Sequence, residues 1–157
     1  MKTILQVEDD PNDVFFLKHA MAKAGVANPI QIVNDGREAI DYLKGVRKYA
    51  DREQFPLPSL VLLDLKLPKL SGLDVLKWIR QQPAIQTLPV TILSSSNRPE
   101  DLRTAYARGA NSYLVKPPNT DGLVEMVVSV KDFWLDPNQL PPESLPDQAK
   151  RHALRDA

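Results

Sequence analysis

The chain has no cysteine among its 157 residues. That removes disulfides, thiolate metal sites and cysteine nucleophiles together, and it fits a reducing compartment. Net charge is missing as well. Twenty Lys and Arg balance twenty Asp and Glu, so no global field draws the protein to nucleic acid or to an anionic membrane. Nor is there a long apolar run. The amino terminus, MKTILQVEDD, reaches Glu8, Asp9 and Asp10 after a very short apolar stretch, which suits neither a signal peptide nor a membrane span. A cytoplasmic protein with no nucleic-acid and no membrane partner is the expectation. The chain carries no internal repeat. Its two histidines, His19 and His152, fall in a predicted helix and near the C-terminus, away from the polar positions argued below.

What is present is a core. With 43% hydrophobic and 25% charged residues, a chain of this length makes one compact domain. Short β-branched runs alternate with segments of helical period. Candidate strands are ILQV (4–7), IQIV (30–33), LVLL (60–63), VTIL (90–93) and SYLV (112–115). Several are apolar at nearly every position, as strands covered on both faces are. Helical spacing links Val14, Leu17 and Met21, then Leu73, Leu76 and Ile79, then Leu102 and Tyr106. It returns in Leu123, Met126, Val127, Val130 and Trp134. Strand followed by helix, repeated along the chain, predicts an α/β, doubly wound five-stranded parallel sheet with helices on both faces. Helix starts agree with this register. Asp10-Pro11 reads as an N-cap and first helical residue, and Ser71 with Asp74 has capping-box spacing. Residues 45–58 form a polar, proline-bounded connection that is either partly helical or mobile. A folded domain over residues 1–135 and a proline-rich tail over 136–157, with a short helix from Asp147 and no output domain, are expected.

In an open parallel sheet, ligands gather beyond the carboxyl ends of the strands. Here those exits carry Glu8-Asp9-Asp10, Asp64, Ser94-Ser95-Ser96 and Lys116-Pro117. Each alone has an ordinary explanation as a cap, a loop residue or a solvated edge. Their convergence on one rim is far more specific. Carboxylates from Glu8, Asp9 and Asp64 held close together disfavour one another's ionised form, so a cation should offset them. A hard divalent ion such as Mg²⁺ takes oxygen ligands of this kind, whereas no histidine or cysteine at these exits suggests zinc. With a metal and Lys116 beside it, Asp64 can act as a nucleophile toward phosphorus and form an acyl phosphate. Ser94 then offers a hydroxyl to a phosphoryl oxygen.

The stretches LQVEDD, LLDLKLPKLSG, LPVTILSSS and NSYLVKPP, in this order and at these separations, resemble the signature of bacterial two-component response-regulator receiver domains. The resemblance covers about residues 3–134. YLKG, the YADREQFPLP connection, LKWIR and the closing FWL look most like the small stand-alone regulators paired with bacterial phytochromes. It implies a CheY-like, flavodoxin-type sheet of order 2-1-3-4-5, with Asp64 as phosphoacceptor. Glu8 and Asp9 would be the acidic pair holding Mg²⁺, joined by the Lys66 backbone carbonyl. Lys116 would pair with the phosphoryl group across a cis Lys116–Pro117 bond. Ser94 matches the switch hydroxyl and Tyr113 the switch aromatic. A sensor histidine kinase of phytochrome type is the implied partner, and the output surface is that of the fourth helix, fifth strand and fifth helix. Phe133 and Trp134 either close the core or make a homodimer contact there. Glu8, Ser94 and Ser71 replace more frequent residues of the pattern, and Lys66 sits where residues tune acyl-phosphate lifetime.

Other readings are open. A haloacid-dehalogenase-like phosphatase would use Asp64 in turnover, but the aspartate it needs two residues later is Lys66 here. A flavodoxin-like cofactor binder needs a phosphate-cradling loop after strand one, where Glu8-Asp9-Asp10 would repel phosphate. A receiver used only for phosphorylation-independent binding is the third. On the favoured reading the protein is not an enzyme beyond its own phosphorylation and dephosphorylation.

Overall fold

A computed structural model of the chain describes residues 2–136. Three of its strands are buried at every position: β1 (Ile4–Val7), β3 (Leu60–Leu63) and β4 (Val90–Ser94). These runs are mostly apolar, and they take the centre because both of their faces are covered. β2 (Ile30–Val33) and β5 (Ser112–Val115) are partly exposed and lie at the edges. All pairs are parallel and the order is β2-β1-β3-β4-β5.

Alternation along each strand sorts two cores. Leu5, Val7, Leu63 and Ile92 face α2 (Gly36–Lys44) and α3 (Gly72–Arg80), which contribute Ile40, Leu43, Leu76 and Ile79. Ile4, Leu60 and Leu62 face the other way, onto Leu17 and Met21 of α1 (Pro11–Lys23) and Val127 and Val130 of α5 (Thr120–Val130). α4 (Pro99–Ala107) adds Ala105 to the first core. The chain leaves β1 to either side of itself, so the sheet's switch point, and the crevice above it, lies between β1 and β3.

The predicted caps form. Asp10 accepts from Asn12 N–H at 2.8 Å, and Ser71 accepts from Asp74 N–H at 3.2 Å. Helix α2 falls between the apolar repeats read from the sequence and is an addition to them. Residues 45–58 are partly helical rather than loose: Arg47–Tyr49 make a 3₁₀ turn, and the rings of Tyr42, Tyr49 and Phe55 contact one another. The Arg52 guanidinium donates to the carbonyls of Tyr42, Leu43 and Phe55, closing the end of α2. α5 continues into a π-turn, Lys131–Leu135. There Trp134 packs on the second core while Phe133 is 61% exposed, so the aromatic pair divides its roles. The expected tail, Asp136 apart, and its helix from Asp147 lie outside the described residues.

Candidate functional site

The ladder continues one residue past several strands and carries the polar exits with it. Glu8 N–H donates to Val33 O at 3.0 Å, Asp64 N–H to Val7 O at 3.1 Å and Lys116 N–H to Ser94 O at 2.8 Å. Backbone bonding therefore fixes where these side chains start. The carboxylates of Glu8, Asp9 and Asp64 each place an oxygen within 4.8 Å of the others. Glu8 and Asp64 are buried and Asp9 is exposed.

Lys116 crosses the rim to meet them. Its Nζ lies 2.6 Å from Glu8 Oε1, 2.8 Å from Asp13 Oδ2 and 3.4 Å from Asp64 Oδ2. An ammonium has three N–H groups, so all are engaged. Burial pulls the Lys116 ammonium down, but its bonds to Asp13 and Glu8 and the Asp64 charge outweigh that and hold it above the usual lysine range. Asp64 Oδ1 is separately held by Leu65 N–H at 2.7 Å, which leaves Oδ2 as the oxygen turned toward lysine.

Burial pushes Glu8 up to about 7, with the Asp64 charge adding to it and the Lys116 bond opposing it. The folded value lies above that of an unfolded glutamate, so neutral Glu8 favours the fold at acid pH. That contribution is complete below about pH 4.5 and is lost as pH rises through about 7. Two and a half units correspond to about 3 kcal/mol. We expect the metal-free protein's stability to fall by about that amount from pH 4.5 to 8 relative to a Glu8→Gln protein. Urea unfolding at a series of pH values measures it, and parallel pH profiles for the two proteins would refute it.

The three carboxylates fit a divalent cation. They are hard oxygen donors gathered at the range a single ion spans, and burial, with the Asp64 charge adding to it, disfavours the ionised form of Glu8 that a cation would stabilise. Among the described residues no histidine joins them; His19 lies exposed on α1.

Ser94 ends β4 and is 1% exposed. Its Oγ accepts from Ser96 N–H at 3.2 Å. Ser96 is held at its other polar groups too, donating from Oγ to Asp101 and accepting at its carbonyl from Tyr113 O–H at 2.8 Å. Tyr113 is half-buried against the first core. Lys66 lies exposed two residues beyond Asp64. The Lys116–Pro117 bond, expected cis, is trans, as every peptide bond of the described residues is. Trans is the lower-energy isomer of such a bond, and Lys116 reaches the carboxylates from it.

Sequence reasoning placed Glu8, Asp9, Asp64, Ser94 and Lys116 on one rim; the structure gathers the side chains of Glu8, Asp9, Asp64 and Lys116 and sets Ser94 next to Lys116 through the backbone, with its hydroxyl engaged by Ser96. It missed Asp13 and the Ser96–Asp101 pair. A signal for Asp13 existed: helical side chains tilt toward the N-terminus, so an acid in the first turn of a helix that starts at the strand exits points back over them.

The sequence profile described as "Response regulator receiver domain" matches residues 4–128. Response regulator Rcp1 of Synechocystis sp. is 35% identical over 140 residues, 89% of this chain and 93% of its own. The crystal structure of the Mn²⁺-bound form of Rcp1 is similar to this one with a TM-score of 0.81 over 90% of this chain and all of that one, at 34% identity. Response regulator RPA3017, in red light signaling of R. palustris, gives a TM-score of 0.86 at 37% identity over 90% of this chain and 99% of its own. The phosphorylated cyanobacterial phytochrome response regulator RcpA gives 0.83 at 35% identity with the same coverage.

Proposed function

The chain belongs to the response regulator receiver domain family, and from that footing we propose that Asp64 accepts a phosphoryl group from a histidine kinase and sets a protein-interaction surface. One observation carries this reading: a nearly buried carboxylate at the end of a central strand, with Lys116 on its Oδ2 and two further acids within ion-sharing distance. Asp64 Oδ2 attacks phosphorus as the donor's P–N bond breaks, and the leaving imidazole keeps that electron pair and takes up a proton. Lys116 meets the charge gathering on the phosphoryl oxygens. Glu8, Asp9 and the Lys66 carbonyl would hold Mg²⁺, which when bound supplies positive charge to the same oxygens. The phosphatase alternative lacks its acid/base, since Lys66 occupies that place.

Ser94 couples the site to the surface. To reach a phosphoryl group its hydroxyl gives up Ser96 N–H, and Ser96 is the residue that Tyr113 and Asp101 also hold. Moving it shifts both α4, which carries Asp101, and β5, which carries Tyr113. Tyr106, Val115 and Val128 are exposed on that side of the molecule, and Phe133 follows on the π-turn. This is where a second copy or a downstream protein docks. The names of the similar phytochrome and red-light response regulators support a phytochrome-type kinase as donor; no helix among the described residues is long and apolar enough to cross a membrane.

Incubation with acetyl phosphate and Mg²⁺, followed by intact mass, tests the reading. The wild type should gain one alkali-labile phosphoryl group and Asp64→Asn none. Sedimentation of the same samples reports whether the charged form associates. Labelling of Asp64→Asn, or sustained hydrolysis of small phosphate esters by the wild type, would overturn the assignment.

A further inference from the structure

Asp13 stands apart from the other acids around Lys116. Glu8 and Asp64 follow strand ends and their side chains are only 4% and 10% exposed, whereas Asp13 lies in the first turn of α1 and its side chain is 38% exposed. The helix fixes it there. Asp10 caps α1, and Leu17, one turn beyond Asp13 on the same face, is buried in the second core. The unpaired N–H groups of a first helical turn also favour a negative charge at this place.

Lys116 has freedom only along its stem. Its backbone N–H is bonded to Ser94 O and Pro117 follows it, so the chain entry is restricted and the flexible side chain decides where Nζ goes. Three carboxylates compete for that position, and the distances show which prevail. The bonds to Glu8 at 2.6 Å and Asp13 at 2.8 Å are as short as charge-assisted bonds become, while 3.4 Å to Asp64 Oδ2 lies beyond the range of a good one. Asp13 therefore draws the ammonium toward α1, away from the oxygen that would attack phosphorus.

A phosphoryl group arriving at Asp64 brings oxygens that need an ammonium hydrogen, and all three are engaged. Glu8 is buried, and losing its hydrogen would strand an acceptor where water does not easily replace it. Asp13 is the partner that yields, because solvent reaches it.

We propose that Asp13 is a positioning residue that holds Lys116 in reserve, competing with the phosphoryl oxygens for one ammonium hydrogen and so limiting the rate at which Asp64 is phosphorylated. This role rests on the phosphorylation reading above. Asparagine in place of Asp13 keeps an acceptor without the charge, and its bond to the lysine is correspondingly weaker. The ammonium then settles on Asp64, from which its hydrogen passes a short way to the phosphoryl oxygens.

Uptake from acetyl phosphate is followed by intact mass at saturating Mg²⁺, so that any change in ion affinity drops out. Asp13→Asn should be phosphorylated about fivefold faster than the wild type, the difference between a charged and a neutral hydrogen bond expressed as a rate. Asp10→Asn controls for charge alone: it removes one charge from the same helix end, still caps the helix, and should stay within about twofold of the wild type. In a Lys116→Met background the gain from Asp13→Asn should disappear, because the two side chains act as a pair. A crystal structure of the metal-free Asp13→Asn protein should show Lys116 Nζ within about 2.9 Å of Asp64 Oδ2. An unchanged or slower rate for Asp13→Asn, an equal gain from Asp10→Asn, a gain that persists without Lys116, or an unmoved Nζ would each overturn the role of Asp13 and leave phosphorylation of Asp64 standing. A wild type that takes up no phosphoryl group would overturn both.

Discussion

Lys116→Met is expected to lower the metal-free protein's stability by about 3 kcal/mol at pH 8, the lower end of what breaking a buried ion pair costs. The lower end applies because the lysine side chain is 16% exposed. Methionine keeps the apolar stem and removes the ammonium, so Glu8, Asp13 and Asp64 lose the group that satisfies all three. Two changes of condition should rescue the variant. Acidification neutralises Glu8, which burial already holds near 7, and millimolar Mg²⁺ replaces the missing charge. With urea slopes of about 1–3 kcal/mol/M, the midpoint should drop by on the order of 1.5 M at pH 8 and recover most of that at pH 5 or with Mg²⁺. Phosphorylation by acetyl phosphate should slow by about 10²-fold even where stability is restored, because a preorganised cation facing the phosphoryl oxygens is gone. A midpoint insensitive to both pH and Mg²⁺ would show that the carboxylates do not depend on Lys116.

The same lysine marks the limit of what the sequence displayed. β1, β3 and β4 were legible because burial on both faces leaves a mostly apolar run, broken only by Gln6 in β1 and by Thr91 and Ser94 in β4, and every residue of the three is buried. Once the strands are known, their exits are known, and with them Glu8, Asp64, Ser94 and Lys116. Asp10 and Ser71 were legible because capping is local chemistry. What stayed hidden depends on which way a side chain turns over a long chain separation. Asp13 meets Lys116 across 103 residues. In the serine triplet, Ser95 is exposed while Ser94 and Ser96 are buried, an alternation that composition alone does not assign. Phe133 and Trp134 read as one aromatic pair, yet the π-turn sends one outward and one onto the core.

Gly72→Ala is expected to disable the protein through its backbone. Gly72 is the first residue of α3, and a Cβ there would fall 1.9 Å from the Asp64 carbonyl oxygen, 2.8 Å from its carbonyl carbon and 2.9 Å from Leu65 Cα. None of these is a flexible side chain that could swing away. The helix start must retreat from the end of β3, which also breaks the 2.8 Å bond from Gly72 N–H to Leu65 O. Alanine's better helix propensity is worth up to about 1 kcal/mol, whereas overpacking of this severity costs about 3 kcal/mol or more; destabilisation wins. The displaced residue is Asp64 itself, and a misplacement of about 1 Å at a reacting group can cost on the order of 10² in rate. The variant should therefore unfold at lower urea and, under conditions where it remains folded, accept phosphoryl groups from acetyl phosphate about 10²-fold more slowly. Wild-type values for both would mean that α3 and the Asp64 exit move independently, and that the close contact beneath the site does not position its nucleophile.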